Sequence, residues 1–501
     1  MYSRVFSASN IGIQGYPVIV ETHIARGLPR FSIIGLPDKT VKEAKERVST
    51  AIKSSGFTLP LRRITVNLAP PNIPKHGNNF DLAIAVGILI ASNQIKLQLT
   101  INMKRVVFIG GLSLNGTVEP TRGTPILVEA AAQEGYTNIL ISSSEEQITT
   151  KPDNTKVFYQ KSLNSTVQFL QGNRSHLRTT PKIVPVPKNA PKADIANIYG
   201  KECAKRALII SAAGRHNISL SGPPGCGKTI VARSLSDIMP NLTPEEKLEL
   251  HKIYSLCNEK LPLARPFRSP HHTITINSLI GGGAIPTPGE ISLADKGVLF
   301  LDEFPLFGTK LINSLRQPLE DRSVLISRKS GTIIFPADFI LVTAMNLCPC
   351  GFLNHPTKKC TCRVHEIKNF QNKISNAIWD RMDINITLAS EKCSSVFKHD
   401  STKGSDILRK TVESTWQTQS IRGIMNSQIQ MSQIRDLCPM TSGAKSLIRD
   451  SSERLGLSTR GTLRTIRLSR TIADIENRRI IDENHMAEAI SYRRNIVSAI
   501  G

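Results

Sequence analysis

A run of eight residues carries the clearest chemistry in the sequence. It consists of Gly222, Pro223, Pro224, Gly225, Cys226, Gly227, Lys228 and Thr229, and it matches the phosphate-loop pattern in full. Glycines in such a loop let backbone N–H groups turn toward phosphate oxygens at the positive end of the following helix. The lysine ammonium then reaches the terminal phosphates, and the threonine hydroxyl coordinates Mg²⁺. An apolar strand at 218–221 and a helical segment at 230–239 flank the loop, so the run predicts a site for ATP and Mg²⁺.

Two further strand ends offer the acids and the amide that ATP hydrolysis uses. The apolar strand Val298–Leu301 is followed by Asp302, which can hold the water shell of Mg²⁺, and by Glu303, which can polarise the attacking water. Two acids at a strand end can also cap a helix, but their distance from the phosphate loop favours the catalytic interpretation. A second apolar strand, 339–345, ends at Asn346, a neutral polar side chain suited to orienting the same water.

Four cysteines lie close together in the sequence, at Cys348, Cys350, Cys360 and Cys362. Four thiolates satisfy the tetrahedral coordination of zinc, and a loop this short needs a cross-link to be ordered. The C-x-C spacing is tighter than the usual C-x₂-C, so buried or redox-active thiols stay the alternative to structural zinc. A catalytic metal is not expected, since no open ligand position with a nearby base is evident.

Composition restricts the class of protein and its compartment. The chain has 501 residues, and 64 Lys and Arg against 40 Asp and Glu give a net charge of +24. This surplus favours a polyanionic partner, although a generally basic proteome would also produce it. The longest apolar stretch, Leu82–Ala91, is far shorter than the roughly 18 residues of a membrane span, and the start carries no secretion signal. The odd number and clustering of the cysteines indicate a reducing compartment. We therefore expect a cytoplasmic protein without membrane association.

The pattern of apolar and turn residues predicts about three domains, at roughly 150 residues per domain. We expect an α/β domain at 1–170, a linker at 171–192, a second α/β domain with the phosphate loop at 193–390 and a mainly helical domain at 391–501. The linker holds four prolines, which fix φ and lack a backbone donor.

Periodicity and turn residues place individual elements within these domains. In the first domain we expect strands at Ile11–Val20, Phe31–Gly35, Arg63–Leu68 and Val106–Gly110 and helices at Thr40–Ser54 and Leu82–Ser92. In the last domain helical periodicity covers Ile407–Gln417, Gly443–Leu455 and Leu463–Ile475.

Longer runs resemble one known family. The segments RPFRSPHHTITINSLIGGGAIPTPGEISLADKGVLFLDEFPLF, LRQPLEDRSVLISR and AMNLCPCG resemble the ComM/YifB family of magnesium-chelatase-like AAA+ ATPases, and the resemblance covers essentially the whole chain. It implies a homo-hexameric ring with ATP bound between subunits, and it supports zinc at the cysteines. It also implies that Asn346 is the sensor-1 residue, that Arg381 is the finger reaching the neighbouring subunit's γ-phosphate, and that Arg460 is the sensor-2 residue. A salt bridge of Arg381 to Asp380 or Asp383 within the chain is the alternative.

The first 170 residues resemble the Lon-protease-like domain that precedes this ATPase module. Lon-type proteases use a serine nucleophile and a lysine, and the matching positions here hold Asn79 and Pro125. Neither can run a mechanism that needs a hydroxyl and a neutral amine. We therefore expect a catalytically inactive platform for DNA binding or ring assembly. The expected fold is multidomain α/β: a Lon-protease-like domain, an AAA+ phosphate-loop domain with a zinc-binding loop, and a C-terminal helical lid.

Basic side chains that enter the pore of a ring would contact DNA. The segment 323–335 predicts a hairpin with Arg328 and Lys329 near its tip, and these are the candidate phosphate contacts; a solvated turn is the alternative. The insert from His271 to Gly283 is expected to be a second pore loop. Arginines also recur at helical spacing from Arg460 onward, where we expect a face that serves the nucleotide and the subunit interface.

These features favour an ATP-driven motor on single-stranded and branched DNA. The family resemblance implies a helicase that promotes branch migration of recombination intermediates during natural transformation. Two alternatives stay open: a chelatase-like ATPase that remodels a protein partner, and a DNA-binding ATPase switch without translocation. The sequence cue for the protein remodeller would be a metal-insertion partner domain with an acidic linker, and the sequence lacks this cue.

Overall fold

The computed structural model describes residues 1–98, 101–144, 155–173, 195, 198, 201–328, 331–355, 357–389 and 404–493. The chain forms two compact units, one of Met1–Pro185 with Thr243–Leu261 and one of Val186–Leu242 with Pro262–Gly501. In the described ranges no helix is both long and apolar enough to cross a membrane. The domain boundaries near 192 and 390 stay predictions, because the residues around them lie outside the described part of the chain.

A seven-stranded mixed sheet organises the first unit. The strands of this unit are β1 Tyr2–Ile11, β2 Gln14–Ala25, β3 Arg30–Ile34, β4 Arg63–Ala69, β5 Val106–Phe108, β6 Gly111–Leu112, β7 Val118–Glu119, β8 Asn138–Ser142 and β9 Lys156–Gln160. The order across the large sheet is β3-β4-β2-β1-β5-β8-β9, and β6 and β7 form a separate hairpin. Within the large sheet, β2 runs antiparallel to both of its neighbours, and the other pairs are parallel.

Helices pack against this sheet through their apolar side chains. They are α1 Lys39–Ser54, α2 Asp81–Ala91, α3 Thr124–Gln133 and α4 Leu163–Leu170. The side chain of Asp38 caps α1 by accepting a hydrogen bond from the Val41 amide. Helix α2 is apolar and buried on nearly all sides, because it packs between other elements and the strands β1 and β2. The helix Pro244–Cys257 also belongs to this unit, where its Lys252 pairs with Glu129 of α3.

A parallel five-stranded sheet organises the second unit. The remaining strands are β10 Ile218–Ser221, β11 Phe267–Arg268, β12 Gly281–Gly282, β13 Thr287–Pro288, β14 Val298–Leu301, β15 Ser323–Arg328, β16 Gly331–Pro336, β17 Ile340–Met345 and β18 Ile384–Thr387. The order across the sheet is β11-β14-β17-β10-β18. Since β10, β14 and β17 are parallel neighbours, the residues that follow them meet at one edge, where ligands bind in open α/β sheets.

The helices of the second unit surround this sheet. The later helices of the chain are α5 Glu202–Gly214, α6 Lys228–Ile238, α7 Pro244–Cys257 (in the first unit), α8 Ile276–Ile280, α9 Glu290–Leu293, α10 Thr309–Ser314, α11 Arg316–Asp321, α12 Val364–Gln371, α13 Asn376–Trp379, α14 Ser405–Ile421, α15 Ile434–Leu437, α16 Ser442–Leu455, α17 Thr459–Ile475 and α18 Glu483–Ser491. Helices α14 and α17 pack on α5, so the mainly helical segment is part of the same unit.

Most of the elements predicted from the sequence are confirmed, with ends that shift by one to a few residues. The strand predicted at Ile11–Val20 is wrong, because the chain turns at Gly12 and forms the hairpin of β1 and β2. The pattern misled because Ser3, Ser7 and Ser9 occupy buried positions of β1, so the apolar alternation of a strand is hidden.

Candidate nucleotide site

The phosphate loop joins β10 to α6, as the sequence predicts. Gly227 precedes α6 with a φ of +83°, a left-handed conformation that glycine adopts without strain. The Lys228 ammonium donates to the carbonyl oxygens of Gly222 at 2.8 Å and Pro223 at 3.0 Å, and to Asn346 Oδ1 at 3.1 Å. Burial lowers the pKa of Lys228, because a partly desolvated ammonium faces neutral oxygens rather than an anion. The site is therefore arranged to take a phosphate at Lys228.

The two acids after β14 have different surroundings. Asp302 Oδ2 accepts a hydrogen bond from the Thr229 hydroxyl at 3.0 Å, so the two oxygen ligands proposed for Mg²⁺ are adjacent. Glu303 has a φ of +52°, a strained conformation for a residue with a side chain, and such residues cluster at functional sites. Its carboxylate lies 3.6 Å from His272 Nδ1. The insert that the sequence suggested as a pore loop thus reaches the candidate general base.

Arg381, the candidate finger, and Arg460, the candidate sensor-2 residue, share one carboxylate. Arg381 is 8% exposed and donates through Nη2 to Glu320, whose other oxygen lies 3.1 Å from Arg460 Nη2. Burial alone would raise the pKa of Glu320, but Arg381 and Arg460 hold it below its usual range. The sequence named Asp380 or Asp383 as the alternative partner of Arg381, and the structure corrects this to Glu320.

A cavity of about 430 Å³ opens beside this pair. Its walls carry the six arginines Arg215, Arg322, Arg381, Arg460, Arg464 and Arg467 and the three acids Glu320, Asp380 and Asp383. Burial lowers the pKa of Arg467 to about 10, and the like charge of Arg464 acts in the same direction. Both disfavour the charged guanidinium. The excess of positive charge makes this cavity suited to an anion.

The row of arginines on α17 is only partly a surface feature. Arg464 pairs with Asp383 at 2.8 Å, and Arg467 donates to the carbonyl of Ile429 at 2.6 Å. Arg470 is 2% exposed and pairs with Asp474, so its expected place on an interface face is wrong. Asp474 also accepts from Arg422, at the end of α14, so this buried carboxylate ties α17 to α14.

The four cysteines form one cluster. Their sulfur atoms lie within 4.8 Å of one another, and the Sγ separations are 3.4 Å for Cys348–Cys350, 3.5 Å for Cys350–Cys360 and 3.7 Å for Cys360–Cys348. Tetrahedral zinc with bonds of about 2.3 Å separates its sulfurs by about 3.8 Å, whereas a disulfide brings them to about 2.05 Å. The backbone N–H of Phe352 lowers the pKa of the Cys350 thiol to about 6, whereas burial raises the pKa of the Cys348 thiol to about 12. The residues present therefore fit a zinc ion.

The cysteine loop touches the phosphate loop. A Cβ atom on Gly351 would lie 2.8 Å from the Cδ and Cγ atoms of Pro224, closer than real Cβ contacts. The loop also begins two residues after Asn346, at the end of β17. The glycine thus allows an approach that ties the cysteine cluster to the nucleotide site.

The predicted hairpin 323–335 is confirmed as β15 and β16, which pair in antiparallel register up to Arg328 opposite Gly331. Arg328 is exposed, and Lys329 lies outside the described residues.

In the first unit, Asn79 is buried and donates to the Ala8 carbonyl, and Pro125 lies in the first turn of α3. Neither position offers a nucleophile.

Sequence reasoning missed three residues of the site. Lys201 donates to the Cys226 carbonyl at 2.6 Å, His272 approaches Glu303, and Glu320 holds the two arginines. No local motif identifies them, because each acts through a partner distant in the chain. His272 lies in the insert that the sequence predicts as a second pore loop, and that pattern does not indicate an approach to Glu303.

A parallel sheet with a phosphate loop, two acids after the neighbouring strand and a polar residue after the next defines a nucleotide-binding P-loop protein. Family models agree: "Magnesium chelatase, subunit ChlI" matches residues 194–396, "Subunit ChlI of Mg-chelatase" matches 20–145, and "Magnesium chelatase, subunit ChlI C-terminal" matches 402–493. The chain belongs to this magnesium-chelatase-like AAA+ family.

Curated relatives extend the match to almost the full length. The chain is 37% identical over 498 residues to "Competence protein ComM" of Haemophilus influenzae, covering 98% of this chain and 97% of that one. It is 36% identical over 497 residues to the uncharacterized protein YifB of Salmonella typhimurium, covering 98% and 96%. A magnesium-chelatase 67 kDa subunit of Chlorobaculum parvum is 26% identical over 148 residues, 29% of this chain and 22% of that one. The resemblance to the ComM/YifB family is confirmed.

Proposed function

We propose that this protein is an ATP-driven motor that works as a homo-hexameric ring and promotes branch migration of DNA recombination intermediates. The observation that carries the ring is the arginine pair: Arg381 and Arg460 converge on one internal carboxylate, Glu320, in a cavity with excess positive charge. None of the cavity-lining residues belongs to the phosphate loop, which supports the proposal that the anion taken by these arginines is supplied by a neighbouring copy. Arginine supplied in trans couples phosphoryl transfer to assembly.

Within one copy, the residues at the sheet edge divide the work of ATP hydrolysis. Lys228 binds the terminal phosphates, and Thr229 and Asp302 hold Mg²⁺, which neutralises phosphate charge when bound. Glu303 accepts the proton of the attacking water, and Asn346 orients that water, since its amide already lies beside the Lys228 ammonium. His272 places the Glu303 carboxylate.

The cysteine cluster has a structural role in this proposal. The four thiolates would hold one zinc ion, and a set of four protein ligands would leave no position for substrate. Because Gly351 packs on Pro224, the ordered loop supports the phosphate loop from outside the sheet. Zinc therefore stabilises the nucleotide site without entering the chemistry.

DNA is the proposed polyanion, and branched or single-stranded DNA is the proposed substrate. The net charge of +24 favours it, the exposed Arg328 at the end of a basic hairpin provides a phosphate contact, and a relative 37% identical is named for competence. A role in natural transformation, in the cytoplasm, follows from that likeness.

The test is ATP-dependent dissociation of a synthetic Holliday junction and of a three-stranded branch by the purified protein. The proposal expects dissociation with ATP and Mg²⁺, and none by Glu303→Gln protein that still binds ATP. A wild-type protein that hydrolyses ATP but leaves both substrates intact would contradict the motor and favour a protein remodeller or an ATPase switch.

A further inference from the structure

One end of the sheet in the first unit carries an isolated group of arginines. Strand β4 lies between β2 and β3, so Arg63 has Ala25 on one side and Arg30 on the other as direct cross-strand partners. Arg26 follows Ala25, and Arg62 precedes Arg63, so four guanidinium groups gather at the ends of three adjacent strands. Neighbouring strands are about 4.8 Å apart, which makes this a compact positive patch.

These arginines have no counter-ion among the residues that the structure describes. All four are exposed, and in the described parts of the chain none of them forms an ion pair or a side-chain hydrogen bond. The chain segments that form this end of the sheet carry no acids of their own, because residues 22–37 and 47–80 contain no Asp or Glu. Like charges directly opposite each other in a sheet are destabilising. The pairing of Arg30 with Arg63 therefore indicates a function that an anionic partner completes.

Two leucines project from the same end of the sheet. Leu28 is 88% exposed and Leu61 is 83% exposed, among the most exposed large apolar side chains of the described structure. Each is bonded to a proline, in Leu28-Pro29 and Pro60-Leu61, and proline restricts the backbone on either side. Two apolar side chains are thus presented on stiff loops between arginines.

We infer that this basic tip, made of Arg26, Leu28, Arg30, Leu61, Arg62 and Arg63, binds DNA where its strands separate. Arginine forks pair with phosphate oxygens in two places at once, and the tip contains arginine but no lysine. Apolar wedges such as leucine enter between unstacked bases in proteins that open or kink a duplex. A branch point offers both phosphates and unstacked bases, whereas an intact duplex offers phosphates with its bases stacked.

The inference rests on the proposed function for the presence of DNA, and it adds the first unit as the part that contacts the junction. It gives a role to a domain whose protease positions hold Asn79 and Pro125. Phosphate contacts from the arginines position the DNA without reading its sequence, so the tip recognises branch structure rather than base order.

The experiment titrates labelled forked DNA and matched duplex with full-length protein at several salt concentrations. In Arg30→Gln/Arg63→Gln protein, both DNAs bind more weakly, and the slope of log K against log salt falls by about 1.4–1.8, the value for two lost phosphate contacts. In Leu28→Ser/Leu61→Ser protein, the slope is unchanged and only forked DNA binds more weakly, by about tenfold for each leucine that loses an apolar contact and so by up to about a hundredfold. Lys42→Gln/Lys156→Gln protein is the control, because both lysines are exposed in the same unit and the charge change is equal.

Each outcome decides a separate point. If the arginine variant and the lysine control lose the same affinity, bulk charge explains the binding and the tip assignment is wrong. If both tip variants bind forked DNA as wild type does and still dissociate branches, the junction contact lies elsewhere and the motor stands. If the wild-type protein binds anionic phospholipid vesicles but no DNA, the tip is a membrane contact and the proposed function fails as well. The melting temperature should not fall in any variant, since the substituted side chains are exposed. It should rise slightly in Arg30→Gln/Arg63→Gln protein, where the repulsion between the two arginines is relieved.

Discussion

The phosphate loop and the arginine cavity of the second unit hold their cations in different ways. Lys228 faces two backbone carbonyls and an amide, all neutral acceptors, whereas Arg381 and Arg460 face the carboxylate of Glu320. Neutral oxygens give up a lysine readily to a phosphate, because a charge-assisted hydrogen bond is roughly twice as strong as a neutral one. The arginines need an anion that outcompetes a carboxylate. Under the proposed function these are two halves of one site, of which only the first is prepared to bind nucleotide in a single copy.

The largest expected effect comes from removing the lysine. Lys228→Ala should reduce ATP affinity and hydrolysis by about 10²-fold or more, since a preorganised cation beside the phosphates is lost. Binding of a fluorescent ATP analogue measures it. Arg381→Ala is the control, which should bind the analogue normally in a single copy and lose only hydrolysis. Equal loss of nucleotide binding in both variants would contradict the division into two halves.

The contact between the cysteine loop and the phosphate loop predicts the next effect. Gly351→Ala places a methyl group against Pro224, and overpacking of this kind costs about 1–3 kcal/mol. We expect a lower melting temperature together with an increase of about tenfold in KM for ATP. Gly423→Ala is the matched control. The φ of Gly423, +74°, is similar to that of Gly351, but an added Cβ atom at Gly423 would meet open space. A KM change in the control as large as in Gly351→Ala would assign the effect to backbone strain.

The contact between the cysteine loop and the phosphate loop also predicts what the loss of zinc would do. Metal analysis should find about one zinc per chain, and Cys348→Ser/Cys360→Ser protein should lose the zinc and show the same higher KM as Gly351→Ala. Metal-free protein that keeps the wild-type melting temperature and KM would favour the alternative of buried thiols.

The approach of His272 to Glu303 predicts a smaller effect. His272→Ala should lower kcat by roughly tenfold with little change in KM, a fraction of the 10²–10⁴ that a general base contributes, because the carboxylate loses a partner that places it. His272→Asn, which keeps a polar side chain, should recover part of the rate. An unchanged kcat in His272→Ala would remove the histidine from the catalytic arrangement.

Glu320 gives the smallest predicted effect and the most direct probe of the arginine half. Replacing it with Gln removes the competing carboxylate, so half-maximal hydrolysis should need about two- to fivefold less ATP, the scale of a partly exposed ion pair. Glu320→Asp, which keeps the charge, should resemble wild type. A higher ATP requirement in Glu320→Gln would mean that Glu320 positions the arginines and does not compete for them.

The sequence predicted the parts of the site that follow strand ends, because a phosphate loop, the pair Asp302-Glu303 and Asn346 each leave a local pattern. It did not predict Glu320 beside Arg381, or Gly351 against Pro224, since these pairs are formed by chain segments that are distant in sequence. In the fold, α1 and α2 were found from their apolar spacing. The hairpin of β1 and β2 was missed because buried serines interrupt the apolar pattern. These serines can be buried because their hydroxyls find partners, as where Ser3 donates a hydrogen bond to the Gly87 carbonyl at 2.7 Å.

The central claim is that one copy supplies the phosphate loop and another supplies the arginines. The most direct measurement mixes Lys228→Ala protein with Arg381→Ala protein, each inactive alone, and follows ATP hydrolysis against the mixing ratio. An interface between the two variants can unite an intact phosphate loop with an intact arginine pair, so the account predicts recovered hydrolysis with a maximum near equal amounts. Hydrolysis that stays at the level of the separate variants, in a mixture that still co-assembles, would show that both halves must lie in the same chain and would contradict the account.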